Sequence, residues 1–277
     1  FDDYACLQNF SSVRIRNSDT HLSNSDLSYI LFTSGTTGRP KGIMVEHKNV
    51  VLFSHAFNRV CDIRVSDRVY QGFSLAFDGS VEEMWMAFGS GATLVVGRQE
   101  LSKLTDERAE FINQHQVSVF STVPTFLSLV KSALPHNRLL IVSGEVCPQL
   151  LVDRWANGDR RFLNVYGPTE TTVNTTVKEC QAGKRVTIGK PIDGYETYVL
   201  DSSLQQVTNG EKGELFIGGI GVARGYFGQP ELTERSYINN PFYNGKNSKR
   251  IYKTGDLVEL VGEELHFIRR IDNQVKI

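Results

Sequence analysis

From residue 27 to residue 165 the chain alternates short apolar runs with stretches whose apolar residues recur at helical spacing. The runs lie at 27–33, 92–96, 117–121, 138–142 and 162–165, and the amphipathic stretches at 46–60, 80–88, 105–115 and 148–156. Short apolar runs separated by helices predict buried strands of a largely parallel sheet, because parallel neighbours need a crossover between them. The expected class is an α/β layer. After about residue 186 the texture changes to β-rich runs at 196–201, 213–219, 250–260 and 264–268, broken by Gly and Asp-Ser turns. That pattern predicts a smaller, β-barrel-like subdomain. The expected division is an α/β part over 1–182, a β-rich part over 183–268 and a terminal segment over 269–277, while residues 1–24 are polar and carry no pattern.

Composition narrows the function classes. Of 277 residues, 40% are hydrophobic and 22% charged, ordinary values for a soluble globular chain. Thirty Lys and Arg against 31 Asp and Glu leave a net charge of −1, so there is no basic footprint for nucleic acid or an anionic membrane. No apolar run reaches membrane-spanning length, and the start FDDYACLQNF has neither a basic leader nor a hydrophobic signal core. Cys6, Cys61, Cys147 and Cys180 are scattered, without a CxxC or a histidine at ligand spacing. Reduced thiols in a cytoplasmic protein, with no zinc site, are expected.

The chemistry-bearing stretch is 28–46, SYILFTSGTTGRPKGIMVE. An apolar strand-like run enters a loop of Ser, Thr and Gly, and the loop ends in Lys41. Small residues let backbone N–H groups and hydroxyls wrap phosphate oxygens, and a lysine adds a point charge. It is not the common phosphate loop, which needs Gly-Lys followed by Ser or Thr. On composition alone the stretch reads first as a mobile surface loop. Further on, NVYGPTETT (164–172) follows an apolar strand and offers a flat ring, a hydroxyl and a carboxylate. A hard Mg²⁺ ion needs only one or two protein carboxylates when phosphates supply the remaining oxygens. In YKTGDLVEL (252–260) a Thr-Gly-Asp turn is expected to place Asp256 at a strand end, where a carboxylate can accept ribose hydroxyls. A lone Thr-Gly-Asp is more often a hairpin turn.

Taken together, these motifs carry a resemblance. Residues 33–42 resemble the signature loop of the adenylate-forming superfamily, which includes acyl-CoA synthetases, luciferases and peptide-synthetase adenylation domains. Residues 166–170 resemble that family's YGPTE motif, 254–257 its TGDL motif, 213–226 a further motif rich in glycine, and 267–277 its hinge segment. The resemblance implies ATP and Mg²⁺ as cofactors. Thr33, Ser34, Gly35, Thr36, Thr37, Gly38 and Lys41 would hold the phosphates. Asn164, Tyr166 and Phe267 would line the adenine site, with Gly144 and Gly167 also binding the nucleotide, Thr169 on the α-phosphate, Glu170 on the metal, Asp256 on the ribose, and Arg270 on the ribose or phosphates. Asp272 would be the hinge pivot, and Lys276 would serve the later thioester-forming geometry. The family's small C-terminal domain, with its bridging lysine, is absent from this sequence, so the expectation is a piece of the large core that is inactive alone.

The run FSLAFDGSVEEMWMAF (73–88) resembles the FDxS motif of peptide-synthetase adenylation domains, where the aspartate pairs with the α-ammonium of an amino acid. Asp78 and Glu82 are four apart and share a helix face. Two carboxylates on one face of an apolar pocket repel unless two cations answer them. By resemblance the pocket comprises Asp78, Gly79, Glu82, Ser121, Ile141, Ser143, Val165, Val173 and Asn174, which suits Lys, Orn or Arg. Gly79 and Ser121 are expected to leave room for a long side chain, and Glu83 to be the solvated neighbour of Glu82. The implied function is activation of an amino acid as its adenylate, followed by loading on the phosphopantetheine of a peptidyl carrier protein domain, with no nucleic acid or membrane partner. An acyl- or aryl-CoA ligase, or a binding-only piece, remains the alternative.

Overall fold

The computed structural model describes residues 21–33, 40–97 and 105–271. Strands β1 (Leu27–Thr33) and β2 (Lys41–Glu46) pair antiparallel, with Thr33 opposite Lys41. Helix α1 (His47–Cys61) starts on a reciprocal cap between Glu46 and Asn49 and ends at Asp62, which takes φ 49°.

The largest sheet follows. Strands β3 (Arg68–Gln71), β4 (Thr93–Val96), β5 (Val119–Thr122), β6 (Leu139–Val142) and β7 (Arg161–Tyr166) are parallel in the spatial order β4-β3-β5-β6-β7. Strands β8 (Thr176–Cys180) and β9 (Lys190–Pro191) extend it antiparallel. The crossovers carry α2 (Gly79–Ser90), α3 (Thr105–Gln114), α4 (Pro124–Leu129) and α5 (Gln149–Trp155).

Alternation along the strands sorts two cores. Val119, Leu139, Ile141, Leu163 and Val165 pack with Phe53 and Phe57 of α1 and Met86 and Ala87 of α2. Phe120, Leu140, Val142 and Phe162 face the other way, onto Ala109, Leu127, Val152 and Trp155 from α3–α5. Each fully buried side chain of this size stabilises by about 1.5–3 kcal/mol, so both faces of the central strands must be apolar. This is the α/β layering that the apolar runs predict.

Beyond it lie β10 (Tyr195–Leu200), β11 (Lys212–Gly219), β12 (Gly225–Tyr226), α6 (Pro230–Ser236), β13 (Tyr237–Asn239), β14 (Arg250–Val261) and β15 (Glu264–Arg270). β10, β11, β14 and β13 form an antiparallel sheet, and β15 pairs with β14. Short pairings cross the boundary placed at 182/183. β9 belongs to the large sheet, and β12 adds to β2.

Asp256 corrects an expectation. It lies inside β14, not at a strand end or hairpin turn. Gly255, at φ 72°, donates its N–H to the Glu214 side chain, and the register with β11 slips there. The Thr-Gly-Asp sequence therefore bulges a strand without ending it.

Candidate functional site

The parallel strands end together, and two adjoining cavities open past their carboxyl ends. Strand order reverses between β3 and β5, since the chain passes from β3 out to β4 and returns on the opposite side. Open α/β sheets bind ligands at such switch points. The first cavity, of about 110 Å³, takes Phe73, Phe77, Asp78 and Gly79 from the segment after β3, Val123 from after β5, and Ser143 from after β6. Val173 and Asn174 close it. The second, of about 90 Å³, takes Cys147, Asn164, Tyr166, Thr187, Ile188 and Phe267. Gly144, Glu145 and Gly167 line both. One continuous ligand could occupy the pair.

Asp78 lines the first cavity and Glu82 is buried behind its lining residue Asn174, and each acid keeps one carboxylate oxygen without a partner. Asp78 occupies the cap position of α2, but its side chain makes no cap hydrogen bond, and its Oδ2 is shut from solvent without a partner. Burial pushes its carboxyl up to about 6, against the Thr169 hydroxyl, and Glu170 adds repulsion. Glu82 is 1% exposed. Burial pushes it up to about 7, against Ser121 and Asn174, and the Asp78 charge adds to the rise. The Asn174 amide donates to Glu82 Oε2, while Glu82 Oε1 has no partner. Ser121 Oγ sits beside Glu82 without reaching hydrogen-bond geometry.

The remaining expected pocket residues divide. Ile141 is fully buried beneath the site, and Val165 lines the second cavity. Gly79 gives less room than expected, because a Cβ there would stand 2.8 Å from the Phe73 ring, which fills the space beside it. Glu83 is a clear correction. It is fully buried, not solvated, and its carboxylate accepts the N–H groups of Gly72 and Phe73. An acid early in a helix can turn back to hold the backbone after the preceding strand, and spacing does not distinguish that from exposure.

Backbone strain supports the mouth. Thr172 and Val173 take φ 61° and 65°, and a β-branched residue there is a genuine outlier. A Cβ on Gly167 would stand 2.2 Å from the Val173 carbonyl oxygen, so only glycine lets the two segments meet. The Tyr195 hydroxyl donates to the carbonyls of Thr171 and Thr172, and Thr172 Oγ1 donates to Gly221 O. This turn delivers Asn174 to Glu82.

In the second cavity the polar groups are already engaged. Asn164 donates to Thr187 O at 2.7 Å. Asp256, fully buried, accepts Tyr166 Oη at 2.5 Å on one oxygen and Arg270 Nη1 at 3.1 Å on the other. Phe267 joins Tyr166 on the lining. Lys41 and Glu170 meet at 3.4 Å, and Thr169 and Glu170 share a short 3₁₀ turn after Gly167. Thr33 stands opposite Lys41 at the end of the β1–β2 pairing. Ser34, Gly35, Thr36, Thr37, Gly38, Asp272, Lys276 and Cys6 lie outside the described residues.

Among the described residues no group of three or more His, Cys, Asp or Glu could enclose a metal. Glu170 with the Thr169 hydroxyl suits only a hard ion that takes its other oxygens from phosphate and water, which is the Mg²⁺ case. Cys61, Cys147 and Cys180 are free and buried, with burial pushing Cys147 up to about 12 and Cys180 to about 11. They are inert core thiols. Among the described residues no helix is long and apolar enough to cross a membrane.

Sequence reasoning missed Phe73, Phe77, Val123 and Glu145 on the first cavity and Cys147, Thr187 and Ile188 on the second. Phe73, Val123 and Glu145 follow closely on the ends of parallel strands, and that position is the signal that could have found them.

A family model described as AMP-binding enzyme matches residues 3–227. The chain is 42% identical over 251 residues to the delta-poly-L-ornithine synthetase of Acinetobacter baumannii, covering 90% of this chain and 19% of that protein. It is 38% identical over 263 residues to tyrocidine synthase 1 of Brevibacillus parabrevis, covering 91% and 23%. It therefore spans a minor part of the length of these relatives. Among solved structures, the Vibrio cholerae adenylation domain AlmE in complex with glycyl-adenosine-5'-phosphate matches with a TM-score of 0.83 at 27% identity, over 100% of this chain and 56% of that one. The N-terminal subdomain of Klebsiella oxytoca NpsA in complex with 3-hydroxybenzoyl-AMSN matches with a TM-score of 0.83 at 28% identity, over 96% and 69%. Sequence motifs, fold and matches agree, and the chain belongs to the AMP-binding enzyme family, with amino-acid adenylation domains among its relatives.

Proposed function

We propose that the complete protein carrying this chain activates an amino acid with a cationic side chain, Lys, Orn or Arg, as its aminoacyl adenylate. The observation that carries this reading is a pair of buried acids with one unpartnered oxygen each: Asp78 on the wall of a cavity that adjoins a second one through Gly144, Glu145 and Gly167, and Glu82 behind the same cavity's Asn174. A buried carboxylate with no opposite charge is costly, and a ligand bearing two ammonium groups would answer both. Asp78 would take the α-ammonium and Glu82 the side-chain cation. The name of the ornithine-polymer synthetase relative fits that chemistry.

In the reaction the substrate carboxylate attacks the α-phosphorus of ATP, pyrophosphate leaves, and aminoacyl-AMP forms. Catalysis of this kind is alignment and charge neutralisation. Asp78 and Glu82 hold the amino acid with its carboxylate toward the Gly144–Gly167 junction. The flat faces of Tyr166 and Phe267 hold the purine, and Asp256 and Arg270 the ribose. Lys41, Thr169 and the 34–38 loop hold the phosphates. Glu170 would hold Mg²⁺, which supplies charge neutralisation on the phosphate oxygens when bound. The acyl group would then pass to the phosphopantetheine thiol of a peptidyl carrier domain.

An acyl- or aryl-acid ligase is the competing reading, since the Klebsiella neighbour holds a hydroxybenzoyl ligand. Pyrophosphate exchange by the complete protein with ornithine and with its deaminated counterpart separates the two. Exchange that requires the α-ammonium supports amino acid activation, whereas equal exchange with both removes the role of Asp78.

A further inference from the structure

We infer that Tyr226 is a positioning residue that aims the Glu170 carboxylate and the Lys41 ammonium at the phosphate end of the site. The inference rests on the proposed adenylation reaction and concerns the glycine-rich motif at 213–226.

Tyr226 closes that motif on β12 and is 2% exposed. Its Oη donates to Glu170 Oε1 at 2.8 Å. Lys41 Nζ reaches the same oxygen at 3.4 Å and stands 5.0 Å from the centre of the Tyr226 ring. One side chain thus touches both charged groups, one through its hydroxyl and the other through its face. The surrounding backbone fixes it. β12 pairs with β2, with Tyr226 opposite Ile43, and Phe227 N–H donates to Gly42 O. Tyr226 N–H donates to Thr233 Oγ1. Gly225 takes φ 144°, and a Cβ there would stand 2.4 Å from Thr233 Cγ2, so the glycine before the tyrosine is what lets this grip form.

Glu170 is also held at its main chain by the same region. Ala223 N–H donates to Glu170 O at 3.0 Å, and Tyr237 Oη donates to that oxygen at 3.4 Å. Only Tyr226 among these three touches the carboxylate. With one Glu170 oxygen so fixed, the carboxylate cannot swing freely. A single carboxylate that supplies a metal's protein ligation gains most from such pre-orientation, as outer partners of metal ligands generally show.

The test uses the complete protein, α,β-methylene-ATP and Mn²⁺ as a spin probe, with no amino acid present, so that affinity is read without turnover. Tyr226→Phe keeps the ring under Lys41 and deletes only the hydroxyl. It is expected to weaken Mn²⁺ binding in the nucleotide complex about tenfold, while leaving the KM for the amino acid in pyrophosphate exchange near the wild-type value. Tyr237→Phe, which removes a neighbouring phenol that reaches only the main chain, is expected to shift Mn²⁺ affinity less than twofold. p-Aminophenylalanine at position 226 restores a donor and is expected to recover most of the loss; it carries the test if the Phe variant fails to fold. Unchanged or tighter Mn²⁺ binding in Tyr226→Phe, or equal loss in Tyr237→Phe, overturns the assignment while leaving adenylation intact. A wild-type protein with no amino-acid-dependent exchange and no Mn²⁺–nucleotide binding removes the proposed function and this inference together.

Discussion

The two cavities meet at the same three residues and are built on opposite principles. In the one lined by Asn164, Tyr166 and Phe267, the polar groups have protein partners: Asn164 on Thr187, and Tyr166 on Asp256, which also meets Arg270. At the other, Asp78 Oδ2 on the wall and, behind its Asn174, Glu82 Oε1 and the Ser121 Oγ beside it are shut from water without any. The first site is preorganised and would trade existing hydrogen bonds for those of a nucleotide shared by every substrate. The second carries an unpaid electrostatic cost that only a ligand with the right charges relieves. On the proposed reading, generic recognition would sit where the protein has satisfied itself, and selectivity where it has not.

The largest test of that contrast is Asp78→Asn. Removing one partner of a desolvated charge pair costs about 3–5 kcal/mol. Amino-acid-dependent pyrophosphate exchange in the complete protein should fall by that amount in kcat/KM, while ATP affinity measured by calorimetry stays put. Loss of both in parallel would mean that Asp78 supports the fold and not the substrate.

Next comes Glu82→Gln. It should reduce the preference for ornithine over norvaline by about 2–5 kcal/mol. The pH dependence carries a sign. Burial raises the folded Glu82 above its usual 4.5 to about 7, so the folded protein holds the proton more tightly than the unfolded chain. Ionising Glu82 therefore lowers ligand-free stability as pH rises from about 4.5 through about 7. A rise of that size corresponds to at most about 3 kcal/mol, so Glu82→Gln should stabilise the ligand-free protein above pH 7. Ornithine preference should climb between pH 6 and 8 in the wild type and stay flat in the variant. A wild-type preference without that climb would place the substrate cation elsewhere.

On the engaged side the effects should be smaller and should separate along the nucleotide. Lys41→Ala should weaken ATP by about 1.5–3 kcal/mol, the range for a charged hydrogen bond, and AMP by much less. Asp256→Ala should weaken ATP, AMP and the aminoacyl adenylate alike, since all carry the ribose diol. Equal loss of ATP and AMP in Lys41→Ala would move this lysine away from the pyrophosphate end.

How far the sequence reached follows the same division. Long apolar runs such as 138–142 and helical periodicities such as 46–60 appear where expected, because burial on both faces or on one stripe leaves a periodic trace. β3 has only Val69 and Tyr70 buried between half-buried Arg68 and Gln71, so it left no run to read, although the switch point depends on it. Motif resemblance named Asp78, Glu170 and Asn174 as candidates, but it could not show that Glu170 accepts from Tyr226, 56 residues away. Spacing placed Asp78 and Glu82 on one face, yet it could not tell Glu82 from Glu83, because helical position fixes direction and not what closes over it.

Those two neighbours give the finest test. Glu83 is as buried as Glu82, and burial likewise pushes its pKa well up. It differs in being occupied: Gly72 N–H reaches Oε1 at 3.0 Å and Phe73 N–H reaches Oε2 at 3.2 Å. A carboxyl held above its ordinary range and already bonded is close in shape and charge to an amide, whose oxygen accepts the same N–H groups. Glu83→Gln should therefore change stability by less than about 1 kcal/mol, whereas Glu83→Ala, which orphans two backbone donors, should cost about 1–3 kcal/mol. Chemical denaturation at pH 7 reads both. The order matters more than the size. If Glu83→Gln destabilises as strongly as Glu83→Ala, then Glu83 is ionised and its charge is needed, and the contrast between a satisfied acid and an unsatisfied one next to it fails at the place where the sequence made them look alike.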